Sequence, residues 1–483
     1  MTDDHGLTRE MIGEWRGFWV DAFHPGIKSR AEIEQLVAEV RAANGNAIIA
    51  QVRRRADSYY NYSLEPRAPD LRDQPDFDPL ADLIEHAHAA GLEVHAWLAA
   101  MPLAAAAAPP ADPHHIYHRH GPSTTDDALW LTLAADGSQI SEGTLHIDPG
   151  HPAAAQHLVD VSLHLLAHYQ VDGLHFDRFR YPGQQFGYNP VSLARFRAAT
   201  GAAGTPAATD PAWQGWRRDQ MTQLMRQIYL EATALRPDVK LSLAAIAWGN
   251  GPTTAAQWQA GSAYGSVFQD WIAWLREGIL DLAIPMNYDR EADARQRAWF
   301  DAWLAWEKDH HADGHLAIGL GAFLNSIDHT LDQVTRVRAP AANGGRAQGH
   351  CFYAYANTNV NLLPRAAFLS ALVEGERAVF PTFVPPPVMP WKTEPTLGAI
   401  KGFASFEDGR PGDGVSLLLT AADGVELPPI VVSGTGFFGA TRLLPGDYTL
   451  TPLLDDLSLP PTRVTVAAGQ VATADISLLA KFW

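Results

Sequence analysis

Eight short apolar runs alternate with amphipathic stretches between Arg16 and Leu372, and this rhythm constrains the fold more than any other feature of the chain. The runs are Arg16–Asp21, Ala47–Val52, Glu93–Leu98, Val171–Asp177, Val239–Ile246, Leu280–Asp289, His315–Leu320 and His350–Tyr355. Most are apolar throughout, as strands covered on both faces must be. Between them lie Ala31–Asn44, Leu80–Ala90, Ala153–Tyr169, Trp213–Leu235, Phe268–Glu277, Arg295–Lys308, Thr330–Arg338 and Arg365–Leu372, with helical spacing and Gly or Pro at several ends. Eight β/α units in order predict an α/β protein, a (β/α)8 TIM barrel over residues 13–380. A doubly wound sheet is the competitor, but no Gly-rich nucleotide fingerprint follows the first strand. Two long loops, Met101–Ile147 and Tyr181–Pro211, come after strands three and four, on the face where barrel loops build clefts.

Past Phe380 the texture changes. Residues 381–397 hold Pro385-Pro386-Pro387 and Pro390 and read as a semi-rigid linker. Short alternating stretches come next: Gly398–Ser405, Gly414–Thr420, Glu426–Val432, Gly436–Leu443, Asp447–Leu453, Thr462–Val466 and Ala472–Leu478. They predict a small β-sandwich accessory domain over 398–483. Residues 1–12 read as a polar N-terminal tail.

Lys plus Arg number 36 and Asp plus Glu 54, a formal charge of -18. That excess repels phosphate backbones and argues against nucleic acid as partner. It suits a neutral or basic glycan better than a polyanion, though a locally basic mouth is compatible with it. The single cysteine, Cys351, excludes an internal disulfide. No apolar run reaches the roughly 18 residues of a membrane span. The start, MTDDHGLTRE, has no signal-peptide core, so the protein is either cytoplasmic or exported with its signal missing from this sequence.

Side chains on a strand alternate faces. That rule aims one set of polar and aromatic groups at the C-terminal mouth. Strand one contributes Trp19 and Asp21, strand two Gln51 and Arg53, and strand three His95 and Trp97. Strand four gives His175 and Asp177, strand six Asn287 and Asp289, and strand eight Tyr353 and Tyr355. Buried polar groups are costly unless paired, so this polar turn at six strand ends points to a site. Trp19, Trp97, Trp248, Tyr353 and Tyr355 are candidate sugar platforms. His95 and His175 are candidates for sugar hydroxyls. Arg53 and Arg180 are candidates to hold Asp177 ionised.

Here the residues resemble a known family. Arg16-Gly17-Phe18-Trp19-Val20, Ile48–Val52 with Tyr59 to Pro66, Phe77-Asp78-Pro79-Leu80, His86-Ala87-His88 and Gly91–Leu98 are similar to the bacterial glycosyl-hydrolase-like family ten. So are Asp148-Pro149-Gly150, Val171–Pro182, Trp216-Arg217-Arg218-Asp219-Gln220, Pro237-Asp238-Val239-Lys240 and Gly278–Tyr288. The resemblance spans the barrel and implies hydrolysis of glycosidic bonds in bacterial envelope or extracellular polysaccharides. Family members often carry His-Phe-Asp-Asp where this chain has His175-Phe176-Asp177-Arg178. The sandwich, through Gly434-Thr435-Gly436-Phe437-Phe438 and Leu444-Pro445-Gly446-Asp447-Tyr448, resembles carboxypeptidase-regulatory-like, or prealbumin-like, modules. Those commonly accompany exported enzymes, so secretion or an envelope location is the expectation.

Most glycosidases use two carboxyl groups. Asp177 is the expected nucleophile or base. With Arg178 in place of a second acid, the partner must come from elsewhere, and Asp289, Asp21 and Glu291 are the candidates in that order. No cofactor or metal is expected. His114, His115, His118 and His120 lie in a low-complexity insertion without a strand scaffold. Asp148-Pro149-Gly150 is expected to fix a turn. Two rival readings share these residues: a catalytically inactive glycan-binding barrel and a transglycosylase.

Overall fold

In the computed structural model, residues 13–71, 74–454 and 459–478 are described. The expected tail at 1–12 lies outside them. Eight parallel strands close a barrel: β1 (Trp15–Val20), β2 (Ala47–Arg53), β3 (Glu93–Ala99), β4 (Gly173–Asp177), β5 (Lys240–Ala245), β6 (Leu282–Asn287), β7 (His315–Gly321) and β8 (Gly349–Tyr353). Each pairs with its sequence neighbours, and β1 pairs with β8. The expected TIM barrel and its strand order are therefore present.

The helices begin and end where local chemistry permits. Ser29, Asp78 and Asp210 accept backbone N–H groups at the starts of Arg30–Ala42, Pro79–Ala89 and Pro211–Leu235. Gly278, at φ +78°, ends Trp271–Glu277 in the left-handed conformation that glycine adopts without strain. Outward side chains such as Val94, Ala96, Leu98, Leu174 and Phe176 are buried under these helices.

The barrel interior is packed. Trp15, Trp19, Ile49, Trp97, Ala244, Ile284 and Cys351 form one buried cluster. Two glycines make room for its largest rings. A Cβ on Gly319 would lie 2.9 Å from the Trp19 ring, and one on Gly173 2.4 Å from His95 Nδ1. In-register pairing sets levels: Ala99 beside Asp177 at the top, Trp97 beside His175, and His95 beside Gly173 near the base.

The loop after β3 is more ordered than its composition suggests. Pro102–Ala105, Ile140–Ser141 and Thr144–His146 form a small sheet beside the mouth. The loop after β4 contains the helix Pro190–Thr200, capped by Asn189.

The C-terminal region is one antiparallel and one mixed sheet around a core of Ile400, Leu417, Leu419, Phe438, Leu450 and Leu478, consistent with the expected small sandwich. It docks on the helix Pro211–Leu235 and its surroundings. Arg195 pairs with Asp413 at 2.7 Å, Thr435 donates to Gln227, and Phe437 joins the barrel core. The proline-rich segment is not a bare spacer. It crosses the barrel base, where Met389 enters the interior cluster and Trp391 donates to Asp281 at 2.7 Å.

Candidate active site

Asp177 ends β4 at the barrel mouth, half-buried. One of its oxygens accepts the Arg178 backbone N–H at 2.6 Å and lies 3.9 Å from an Arg180 nitrogen. Arg178 turns to φ +52°, so its side chain leaves the strand direction and reaches 3.8 Å from Glu142. Arg180 is buried, and its Nη1 has no hydrogen-bond partner among the described residues. Burial pulls the Arg180 guanidinium down to about 10 even though Asp177 works against the drop.

Beneath Asp177 lies an aromatic floor. Tyr353 stacks on Tyr288 with ring centres 5.5 Å apart, and Trp97, Trp19 and Phe323 meet Tyr353 edge-on. Burial, then Asp21 and Asp177, push the Tyr353 phenol up to about 12, so both carboxylates act on this ring from the mouth. The mouth is completed by Trp248, exposed at the end of the β5 unit, over which the Arg180 guanidinium sits at 5.2 Å. His146, on the small sheet, joins from the side. Burial, then Arg178 and Arg180, push it down to about 3, and its Nδ1 has no partner among the described residues.

His175 supports the site from below. Trp19 Nε1 donates to His175 Nε2 at 3.0 Å. An indole N–H only donates, so the proton of the neutral imidazole sits on Nδ1 and faces Ser242 Oγ at 2.9 Å. Burial drives this histidine well below its ordinary value, and it orients Trp19.

The structure thus gathers Asp177, Arg180, Trp97, Trp248, Tyr353 and Asp21 at the mouth, with Trp19 and His175 underneath. It moves the remaining candidates elsewhere. Arg53 is not beside Asp177: it forms a fully buried fork with Glu65 and binds the Ala100 carbonyl. Gln51 accepts the Ala22 N–H and secures the turn after β1. His95 sits near the base, bonded to Glu93 at 3.1 Å. Tyr355 donates to Glu39 and lies under Arg365, among the outer helices.

β6 is one residue out of the expected phase. Met286 and Tyr288 face the floor, while Asn287 faces outward and donates to Glu307 on the helix Ala294–His310. Asp289 continues into the same buried region, where burial pushes its carboxyl up to about 7. Glu291 is paired with Arg336. Neither is at the mouth. Asp21 is, but its Oδ1 already accepts the Phe23 and His24 backbone N–H groups, and His24 Nδ1 lies 2.8 Å away. Sequence reasoning does not single out Glu142, Tyr288, Phe323 or His146. A polar and acidic hairpin inside a long loop of the expected cleft face is the available signal for Glu142.

The other motifs are structural. Asp148 is fully buried and accepts the Gly150 N–H and the Ser192 hydroxyl, fixing the turn before Pro152–His168. His115, His118 and His120 each bind a separate backbone carbonyl, on Arg55, Pro110 and Ala128. No described helix is long and apolar enough to cross a membrane.

A profile of the family described as glycosyl hydrolase-like 10 matches residues 14–335. The chain is 28% identical over 323 residues to glycosyl hydrolase YngK of Bacillus subtilis (strain 168), covering 63% of this chain and 58% of that protein. It is 24% identical over 255 residues to glycosyl hydrolase DigH of Escherichia coli (strain K12), covering 50% of this chain and 52% of that protein. The chain therefore spans a little over half the length of these relatives. Among solved structures, the PgaB (BpsB) glycoside hydrolase domain from Bordetella bronchiseptica superposes with a TM-score of 0.54 at 16% identity. It covers 74% of this chain and 98% of that domain, a likeness of fold. With the family profile matching 14–335, from β1 into the helix that precedes β8, the chain belongs to the glycosyl hydrolase-like 10 family.

Proposed function

We propose that the protein is a glycoside hydrolase acting on a bacterial envelope or extracellular polysaccharide, with Asp177 as its nucleophile or base. The observation that carries this reading is the position of Asp177, a half-buried carboxylate over an aromatic floor and 3.9 Å from a buried arginine nitrogen. Flat ring faces such as Trp97 and Tyr353 offer apolar surface to the C–H side of a sugar, and Arg180 brings a donor to the same place, 3.9 Å from Asp177. An oxocarbenium-like transition state is stabilised by such a carboxylate on one face of the ring.

The second carboxyl group comes from Asp21 or Glu142, the other acids at the mouth. Asp21 has its Oδ1 committed to acceptor contacts, whereas Glu142 is 83% exposed on a hairpin, held by Arg178 at 3.8 Å. An exposed acid on a hairpin is free to turn onto a bound glycosidic oxygen.

The experiment is turnover on a panel of bacterial glycans with wild type and Asp177→Asn. The expected result is cleavage of at least one glycan by wild type, and a loss of at least roughly a hundredfold in the variant, with unchanged circular dichroism. Near-wild-type turnover in the variant overturns the role of Asp177. Binding without turnover by wild type supports an inactive glycan-binding barrel instead. Products longer than the starting oligosaccharide identify a transglycosylase. Export is part of the same proposal, supported by the sandwich's resemblance, and cell fractionation tests it.

A further inference from the structure

Beyond Trp248, away from Asp177, lies a cavity of about 180 Å³. Its walls are Trp248, Trp258 and Trp303, with Asn250, Gln257 and Ser262 supplying polar groups. The walls are fixed. Trp258 is buried and stacks near Trp306, and Trp303 Nε1 donates to the Gly249 carbonyl at 2.9 Å, which pins the loop. A Cβ on Gly251 would lie 2.3 Å from the Trp303 backbone nitrogen, so the loop lies flush against the helix Ala294–His310. Preformed concave sites that combine aromatic side chains with a few polar groups are where small ligands bind.

The cavity connects to the mouth through one side chain. Arg180 lies 3.9 Å from Asp177 on one side and sits 5.2 Å over the Trp248 ring on the other. Its Nη1 is buried and has no partner among the described residues, so a donor is available between the carboxylate and the cavity. At roughly 30 Å³ per liquid water, the cavity holds about six waters' worth of space. That is room for one sugar ring and not for two. The cavity is also open enough at exposed Trp248 for a chain to continue out of it.

We infer that this cavity is a remote subsite that takes one sugar ring of a glycan chain whose scissile bond lies at Asp177, with Arg180 binding the stretch between them. The inference rests on the glycoside hydrolase reading and adds to it where the polysaccharide is gripped, one ring at a distance from the bond that breaks. Binding energy from a ring outside the reacting centre then contributes to turnover.

The test uses the full chain and oligosaccharides of two to six residues made from the glycan that wild type cleaves. Wild-type kcat/KM is expected to climb steeply at one particular length. Trp248→Ala removes one wall, and Ser262→Phe fills the cavity while leaving Trp248 and Arg180 in place. Each variant is expected to lose at least tenfold more kcat/KM on the hexasaccharide than on the shortest cleaved oligomer, with KM rising. Equal losses at every length, or none, overturn the subsite while Asp177→Asn still reports on the hydrolase reading. If wild type cleaves nothing in the panel, the hydrolase reading falls first, and the subsite is then judged by binding. In that case hexasaccharides from the same panel are titrated by tryptophan fluorescence, and no quench with any of them, or a quench unaltered in both variants, overturns it.

Discussion

Asp289 is the leading sequence candidate for the second acid, and its position in the structure makes a sharp statement about single residues. It lies behind β6 with Glu307, so Asp289→Asn is expected to leave turnover within a few-fold of wild type. Asp21→Asn and Glu142→Gln decide between the two acids at the mouth. The proton donor is the one whose loss costs at least roughly a hundredfold on poor leaving groups and far less on activated aryl glycosides. If both variants keep full turnover, the two-carboxylate mechanism is wrong for this protein. Glu307 gives a second residue-scale test. Burial pushes its carboxyl up to about 8 despite the Asn287 hydrogen bond. A carboxyl raised in the folded state favours folding below its unfolded pKa, and that advantage is lost as pH rises from about 4.5 through about 8. Each unit of such a shift is worth about 1.4 kcal/mol. Glu307→Gln keeps the neutral shape, so its melting temperature is expected to fall less than wild type between pH 6 and 9. Parallel curves would show that Glu307 does not titrate there.

At the scale of elements, β6 shows how one strand hides its phase. Leu282, Ala283, Ile284, Pro285 and Met286 are apolar on both faces, and a period of two cannot be read where both faces look alike. Polarity at Asn287 suggests the mouth; a buried amide–carboxyl pair with Glu307 is what it serves. The loop after β2 shows how a buried ion pair anchors an element. Burial alone would raise Glu65, but the Arg53 charge and then His157 outweigh it and hold the carboxyl at about 2. The depressed value means stability present above pH 4.5 and lost as pH falls toward about 2. Glu65→Gln leaves the Arg53 guanidinium buried with half its partner, and a cost of about 3–5 kcal/mol is expected by chemical denaturation. A change under 1 kcal/mol would mean the loop holds without the pair.

At the scale of the whole molecule, the barrel leans on residues beyond Phe380. By sequence, 381–397 read as a spacer, and a chain ending near Phe380 is then expected to fold alone. The structure instead uses this segment as a base plug. Lys392 lies 3.2 Å from Asp281, Trp391 meets His315 edge-on, and the Val384 and Pro385 carbonyls accept from Asn46 and Glu14. Ending the chain at Phe380 uncovers these groups. Loss of the contacts of buried Met389 and half-buried Trp391, on the order of 3 kcal/mol, lowers the melting temperature by roughly 4 °C in a barrel of this size. A chain ending at Glu394 keeps the plug and is expected to melt above the one ending at Phe380. Equal melting of both truncations would show that the plug contributes nothing.

Local patterning determined a great deal here. Eight buried strands, their order and the helices between them come from apolar runs and stop signals, because each is written within a few residues of itself. Asp177 was legible for the same reason: it sits at the end of a strand whose two faces differ plainly, Leu174 and Phe176 against His175 and Asp177. What tertiary structure decided were the partners. Arg53 binds Glu65 and not Asp177, Tyr355 leaves the mouth for Glu39, and Glu142 arrives at Arg178 from a distant hairpin. Those pairings join residues 12, 316 and 36 positions apart, and sequence spacing carries no information about which charge a folded chain brings within reach.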